Sequence, residues 1–252
     1  MNFNVAAEAY DRFMGRYSTL LAPRFADLAS VASGQRVVDV GCGPGALTAE
    51  LIGRLGSTAV SAVDPSEPFV AAVHERHPEI TVHRAAAEHL PFGDDEFDAA
   101  LAQLVVHFMA DPVAGIREMG RVTRSGGVVA ACVWDFAGGR GPLGVFWRAA
   151  NQLDPDVVDE ADMAGASEGQ LAQLFREAGL DQIEATTLSI STVHQSFEEW
   201  WEPYTFGVGP AGSYVTGLDE AHQAELRELC RSELPAAPFT LTALAWATRG
   251  IA

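Results

Sequence analysis

A glycine-rich turn between a strand and a helix constrains the fold of this sequence most. Residues 36–40 are rich in valine, which is typical of a buried strand. The turn Gly41-Cys-Gly43-Pro-Gly45 follows at once, and residues 46–55 place leucines at helical spacing. Glycines in such a turn let a ligand approach the backbone, and the N–H groups that open the helix can bind a carboxylate or phosphate. Because sharp turns can be glycine-rich for purely structural reasons, the turn alone does not identify a ligand.

Strand and helix signals alternate through the first half of the chain. Further strands are predicted at 58–63, 80–84, 96–104 and 128–134, with helices at 66–77 and 112–122. Alternation of this kind predicts a parallel sheet that is covered by helices on both faces. Ligands of such sheets bind beyond the carboxyl ends of the strands, where the strand order reverses.

The second half of the chain has a different pattern. Helices are predicted near 143–152, 168–178, 196–205 and 219–233, and strands at 182–192 and 239–249. The two strands therefore bracket a helical insertion. Adjacent tryptophans cannot both face one side of a helix, so Trp200 or Trp201 is expected to be exposed or to line a pocket.

The charge of the chain excludes several classes of function. Its 252 residues include 34 acidic and 16 basic side chains, all of the latter arginine, which gives a net charge of −18. A chain without lysine has no Schiff-base lysine and no phosphate-loop lysine. So acidic a protein is not expected to bind nucleic acid or an anionic membrane surface. No apolar run in the sequence is long enough for membrane insertion.

Cysteine usage and the first residues predict a cytoplasmic protein. The three cysteines are few and widely spaced, so they predict neither a disulfide framework nor a zinc set. The first residues lack the basic and apolar regions of a signal peptide. No metal site is predicted, because the histidines between residues 74 and 89 have no repeated ligand spacing. The sequence predicts no particular oligomeric state.

A second element indicates a nucleoside ligand. Asp64 ends the second predicted strand, 19 residues after Gly45, where a carboxylate can accept hydrogen bonds from ribose hydroxyls. Gly41, Gly43 and Ala46 also satisfy the GxGxxA spacing of dinucleotide-binding proteins. The turn and the acidic residue therefore support a nucleoside but leave the choice between cofactors open.

Four segments together resemble a known family. They are VVDVGCGPGALT, AVDPS, AAAEHLPFGDDEFDAAL and REMGRVTRSGGVVAACVWD, in that order between residues 10 and 135. The sequence resembles the class I S-adenosylmethionine-dependent methyltransferases, including the ubiquinone and menaquinone biosynthesis group. The last two segments have no counterpart in a nicotinamide-dependent oxidoreductase, which stays the first alternative. A non-catalytic module that binds the same cofactor is the second alternative.

The resemblance implies an α/β fold. It is a Rossmann-like, mainly parallel seven-stranded sheet with helices on both faces, a C-terminal antiparallel strand pair and a helical lid insertion. The chain is expected to be one domain, 1–252. Residues 1–135 form the cofactor-binding core, 136–240 form the substrate-side helices and the lid insertion, and 239–249 form the final strand.

The resemblance also assigns roles around the glycine-rich turn. Gly41, Gly43 and Gly45 are expected to face the methionine part of S-adenosyl-L-methionine. Asp39 is expected to orient the turn or to bind the ammonium group of the cofactor, and Asp64 to hold the ribose.

Further cofactor contacts are implied beyond the second and fourth strands. Ala86, Ala87 and Glu88 are expected to surround the adenine, although the family has an aspartate where this sequence has Ala86. Gln103, at the end of the fourth strand, is expected near the methionine or the reacting methyl group.

An N-terminal segment, YDRFMGRYS, resembles a cap over the cofactor, with Tyr10 and Arg16 as its contact residues. For Arg16, a surface ion pair is an equally good interpretation.

Methyl transfer needs mainly alignment of the acceptor, so a general base is required only when the acceptor must lose a proton. His107, four residues after Gln103, is the candidate base, although a purely structural role is favoured for it. Aromatic residues after position 136 predict a small, apolar or aromatic acceptor molecule, or else only the core of the helical layer.

Overall fold

The computed structural model describes residues 7–252, which are built around one seven-stranded sheet. The strands are β1 (Val37–Val40), β2 (Val60–Asp64), β3 (Thr81–Arg84), β4 (Phe97–Gln103), β5 (Thr123–Trp134), β6 (Asp181–His194) and β7 (Phe239–Ile251). Their order in the sheet is β3-β2-β1-β4-β5-β7-β6. The first five strands are parallel, and β7 runs antiparallel to both β5 and β6. This topology confirms the predicted fold class.

Helices cover both faces of the sheet. They are α1 (Ala7–Tyr10), α2 (Arg16–Leu28), α3 (Ala46–Leu55), α4 (Glu67–Arg76), α5 (Pro112–Val122), α6 (Gly144–Leu153), α7 (Gln170–Ala178), α8 (Phe197–Trp201), α9 (Gly209–Gly217) and α10 (Glu220–Glu233). One π-helical turn, Asp11–Gly15, joins α1 to α2. No helix within residues 7–252 is long and apolar enough to cross a membrane.

The central strands are buried on both faces, which explains their continuous apolar sequence. Every residue of β1 is buried, and β4 is buried apart from partial exposure of Asp98. Two large hydrophobic cores result, because helices must cover each face of a parallel sheet, and a smaller third cluster contains Ala62 and Val73. One core lies against α2, α3 and α6, and the other against α5 and α7.

The strand order reverses between β1 and β4. The chain runs outward from β1 through β2 to β3 and then returns to place β4 on the other side of β1. The loops that follow β1 and β4 therefore diverge, and they leave a crevice at the carboxyl edge of the sheet. This is the position at which open parallel sheets bind ligands.

The helical part differs from the prediction in its details. The segment predicted as one helix at 196–205 is α8 followed by a 3₁₀ segment, Glu202–Phe206, with Pro203 near the junction. The expectation that Trp200 or Trp201 is exposed or lines a pocket is wrong, because both side chains are buried in the larger core. The helix that carries them has only five residues and is enclosed on several sides, so opposite faces can both be covered.

Candidate active site

A cavity of about 420 Å³ lies in the crevice at the carboxyl edge of the sheet. Six residues that the sequence predicts to contact a cofactor line it: Tyr10, Asp39, Gly41, Gly43, Asp64 and Gln103. They come from the ends of three parallel strands, from the glycine-rich turn and from the N-terminal segment. The structure therefore brings together residues that are up to 93 positions apart in the chain.

The glycine-rich turn is held tightly against β2. The Gly41 and Cys42 N–H groups both donate to the Val63 carbonyl, at 2.7 and 2.9 Å. Gly41 has a φ of 72°, and a Cβ at this position would lie 2.4 Å from a methyl carbon of Val105. Only glycine fits here, because the backbone is left-handed and the neighbouring side chain is in contact.

Asp64 anchors the turn from the end of β2. One carboxylate oxygen accepts from the Gly43 N–H and the other from the Ser66 N–H, each at 2.8 Å. Burial raises the pKa of Asp64, and these two hydrogen bonds act in the opposite direction. A carboxylate has about four acceptor positions, so two remain for a ligand in the cavity.

Asp39, at the floor of the cavity, is an incompletely paired buried carboxylate. Its side chain is 1% exposed, and Oδ2 accepts from the Thr48 hydroxyl at 2.6 Å. The Oδ1 atom has no hydrogen-bond partner among the described residues. Burial raises the pKa of Asp39 to about 7. A cationic group in the cavity would satisfy Oδ1 and favour the ionised form.

Gln103 ends β4 at the cavity, and Leu104 follows it. The Gln103 amide donates to the Ser18 carbonyl at 3.2 Å, which ties α2 to the sheet, while its Oε1 atom is buried without a partner among residues 7–252. Leu104 has a φ of 63°, a left-handed conformation that costs a leucine about 1–3 kcal/mol. This strained residue at the cavity was not predicted from the sequence.

The remaining predicted cofactor residues lie outside the cavity wall. Gly45 caps the N-terminus of α3 with a φ of 100°. Arg16 lies in a neighbouring groove, where Nη1 is 3.7 Å from an oxygen of Glu199 and 3.4 Å from Nδ1 of His194. This placement agrees with the alternative interpretation of Arg16 as part of an ion pair.

The predicted adenine-binding segment also lies apart from the cavity. Ala86 is exposed, Ala87 packs into the core beneath α5, and Glu88 accepts from the Asp111 N–H at 3.1 Å. Two residues that the sequence analysis did not single out, Phe69 and Arg84, line the cavity instead. The roles assigned to residues 86–88 stay predictions.

A second, smaller cavity of about 40 Å³ adjoins the first and is called the inner chamber here. Tyr10, Leu104 and Phe108 line both cavities, so the two cavities are adjacent. The inner chamber is further lined by Phe13, His107, Trp134, Phe136 and Glu160. Its walls are mainly apolar, with several aromatic side chains.

His107, the candidate base, lines the inner chamber and not the larger cavity. It belongs to a 3₁₀ turn, Val106–Phe108, and its ring centroid is 3.9 Å from that of Phe108. Burial lowers the pKa of His107 to about 3, and Nδ1 has no partner among the described residues. The imidazole is therefore neutral at pH 7, a good hydrogen-bond acceptor but a weak base.

Glu160 is the acidic residue of the inner chamber. Its side chain is 3% exposed, and Oε2 accepts from the indole N–H of Trp147 at 2.9 Å. Burial raises the pKa of Glu160 to about 7. The sequence analysis missed this residue, because it lies in an irregular acidic segment between α6 and α7 that resembles a solvated surface.

The aromatic residues of the insertion form a core and not the wall of the larger cavity. Phe146 and Tyr204 stack with centroids 4.6 Å apart, and Phe13 meets Tyr204 edge-on at 5.2 Å. Trp200 packs against the same tyrosine at 4.9 Å. These contacts fix the position of Phe13, which reaches the inner chamber.

Comparison with known proteins identifies the class. The family described as a methyltransferase domain matches residues 38–131. An uncharacterized methyltransferase of Mycobacterium tuberculosis is 33% identical over 135 residues, which cover 54% of this chain and 52% of that protein. A demethylmenaquinone methyltransferase of Mycobacterium marinum is 37% identical over 102 residues, 40% of this chain and 42% of that protein. The chain thus spans about half the length of these relatives.

Solved structures share the fold. A putative methyltransferase from an antibiotic biosynthesis pathway of Anabaena variabilis superposes with a TM-score of 0.62 at 16% identity, covering 90% of this chain and 98% of that one. The sheet order, the cavity at its switch point and the matched segment define a class I methyltransferase domain. The methyltransferase-domain match over residues 38–131 and the methyltransferase relatives confirm the resemblance to the class I S-adenosylmethionine-dependent methyltransferases and the cofactor that it implies, S-adenosyl-L-methionine.

Proposed function

We propose that this protein transfers the methyl group of S-adenosylmethionine to a small molecule in the inner chamber by in-line displacement. The observation that carries the proposal is that the two cavities are adjacent and share Tyr10, Leu104 and Phe108 as lining residues. A methyl donor and its acceptor must meet at such a boundary. When bound, the cofactor supplies a sulfonium-linked methyl group that is already electrophilic.

The larger cavity suits this cofactor in size and chemistry. Its volume of about 420 Å³ lies within the usual range of about 300–1,000 Å³ for small-molecule sites. Asp39 has an unpaired oxygen for the ammonium group, and the N–H groups of the turn suit its carboxylate. Asp64 has free acceptor positions for the ribose hydroxyls.

The chain's own residues would mainly exclude water and align the acceptor. Alignment can contribute about 7–11 kcal/mol to lowering a barrier. The aromatic walls of the inner chamber support an acceptor with an apolar or aromatic part. The net charge of −18 supports a small molecule rather than a nucleic acid as the substrate. The free cysteines Cys42, Cys132 and Cys230 support a cytoplasmic location.

The two alternative functions find less support. The classic dinucleotide-binding sheet continues beyond its fifth strand with a parallel sixth strand, whereas here the antiparallel β7 lies between β5 and β6. A non-catalytic binding module was suggested by Ala86 in place of an aspartate. Ala86 is not among the residues that line the cavity, so this substitution does not by itself favour such a module.

Asp64→Ala tests the cofactor site. Loss of hydrogen bonds to a charged acceptor, about 1.5–3 kcal/mol each, predicts at least about tenfold weaker binding of S-adenosylhomocysteine by calorimetry. Asp98→Ala is the matched control, because Asp98 also accepts a backbone N–H, from Arg36 at 2.7 Å, but outside the cavity. Its affinity is expected to equal that of the wild type. Unchanged affinity in Asp64→Ala would contradict the ribose role.

A further inference from the structure

The inner chamber combines aromatic walls with one buried acid. We propose that it takes the nitrogen of an amine acceptor and that the Glu160 carboxylate binds this nitrogen. The inference rests on the proposed methyl transfer and adds the class of the acceptor atom.

Among residues 7–252, Glu160 has no cationic partner within salt-bridge distance. Its surroundings among the described residues supply one hydrogen bond, from Trp147, and the nearby charge of Asp159, which is also negative. A buried ionised carboxylate is costly unless it is paired. The chain has no lysine, and no arginine lines the inner chamber. A cationic ligand would supply the complementary charge.

The walls of the chamber favour the same kind of ligand. Phe13, Trp134 and Phe136 line a space that adjoins the cofactor cavity at Tyr10 and Phe108. Aromatic faces attract an ammonium group, by about 0.5–2 kcal/mol. The volume of about 40 Å³ has room for a few heavy atoms, the size of an alkylamine head group and smaller than a ring.

The donors of an amine differ in number from those of an alcohol, and His107 lines the same chamber as Glu160. Its neutral imidazole has a buried Nδ1 atom without a partner among residues 7–252. An amine has two or three N–H donors, whereas a hydroxyl group has one. Glu160 accepts one hydrogen bond among residues 7–252, so its carboxylate has positions left for the N–H donors of an amine.

The Glu160 carboxylate can also accept the proton that an ammonium acceptor must lose before its nitrogen attacks the methyl group. The proton moves to the Glu160 carboxylate, and the freed lone pair forms the nitrogen–carbon bond while the sulfur–carbon bond breaks. The products are S-adenosylhomocysteine, the N-methylammonium and the protonated Glu160, which then releases its proton to solvent. The raised pKa of Glu160, about 7, suits this transfer.

Glu160→Gln tests the inference, because the amide oxygen can still accept from the Trp147 indole while the charge is lost. Asp162→Asn is the matched control, since Asp162 is an exposed acid two residues away. Ethylamine and ethanol, which have the same size, are titrated by ligand-observed NMR onto protein saturated with S-adenosylhomocysteine. The titrations use about 0.15 M salt, which screens charges on the surface.

Ethylamine is expected to bind the wild type and Asp162→Asn at least about tenfold more tightly than ethanol, and this preference is expected to disappear in Glu160→Gln. Calorimetry with S-adenosylhomocysteine is run on the same three proteins and is expected to give equal affinities. Equal binding of amine and alcohol by the wild type, or an amine preference that survives in Glu160→Gln, overturns the inference alone. Failure of the wild type to bind S-adenosylhomocysteine overturns the proposed function as well.

Discussion

Replacing Asp39 by asparagine is expected to stabilise the ligand-free protein and to weaken cofactor binding. Asp39 is buried, and its Oδ1 atom has no partner among the described residues. Asparagine has the same shape and can still accept from the Thr48 hydroxyl, which donates to Oδ2 in the wild type at 2.6 Å. The substitution therefore removes mainly a buried charge.

The magnitude follows from the pKa of Asp39. Burial raises it from 3.8 to about 7, and at about 1.4 kcal/mol per unit this destabilises the ionised form by about 4 kcal/mol above pH 7. The asparagine NH₂ group loses hydrogen bonds to water, at a cost of about 1–3 kcal/mol. A net gain of about 2 kcal/mol remains, or about 4–8 °C in melting temperature for a chain of this size.

The difference in stability between Asp39→Asn and the wild type depends on pH. Between about pH 4 and 7, the folded wild type binds more protons at Asp39 than the unfolded chain does, so this residue lowers stability as the pH rises. The Asp39→Asn variant has no titrating group at this position, so its stability lacks this dependence on pH. Its advantage over the wild type is therefore absent near pH 4, grows up to about pH 7 and is constant above that value. Chemical denaturation at several pH values measures the difference.

Calorimetry supplies the second half of the test. Loss of the carboxylate that would pair with the cofactor's ammonium group is expected to weaken binding of S-adenosylhomocysteine by about tenfold or more. Asp135→Asn is the control, because Asp135 is equally buried but bonded to Arg140, to the Gly138 N–H and to the Trp246 indole. That variant is expected to lose stability and to keep its affinity. An Asp39→Asn protein that is less stable than the wild type at every pH would refute the reasoning.

Two further predictions concern the turn and the inner chamber. Gly41→Ala is expected to cost about 3 kcal/mol in chemical denaturation, because strain at φ 72° adds to the contact with Val105, whereas Gly34→Ala, at φ 91° in open space, costs only about 1 kcal/mol. Equal costs would contradict this account. The pKa of His107 is about 3, so the unfolded chain binds its proton more readily, and the wild type loses about 2 kcal/mol between pH 7 and pH 5. His107→Leu is expected to lack this loss, and an unchanged pH profile would count against a buried, neutral His107.

The sheet and half of the site could be predicted from the sequence, because these site residues lie at the ends of predicted strands. Asp39, Asp64 and Gln103 each stand at the carboxyl end of a predicted strand, and parallel strands bring such ends together. Short-range patterns were therefore enough to place side chains that are far apart in the chain.

Other site residues depend on packing that no local pattern encodes. Ala87 follows β3 as the family motif requires, but it points into the core beneath α5. Arg16 lies at the start of α2, on the side that faces Glu199 and not the cavity. Glu160 lies in an acidic segment whose composition resembles that of a solvated surface. Only the structure shows that its side chain is buried.

The central claim is that the crevice beyond β1 and β4 binds S-adenosylmethionine. Calorimetric titration of the wild-type protein with S-adenosylhomocysteine, and separately with the nicotinamide dinucleotides, tests it most directly. The account predicts micromolar binding of S-adenosylhomocysteine and no heat from the dinucleotides. Binding of a nicotinamide dinucleotide, or of neither ligand, would contradict it.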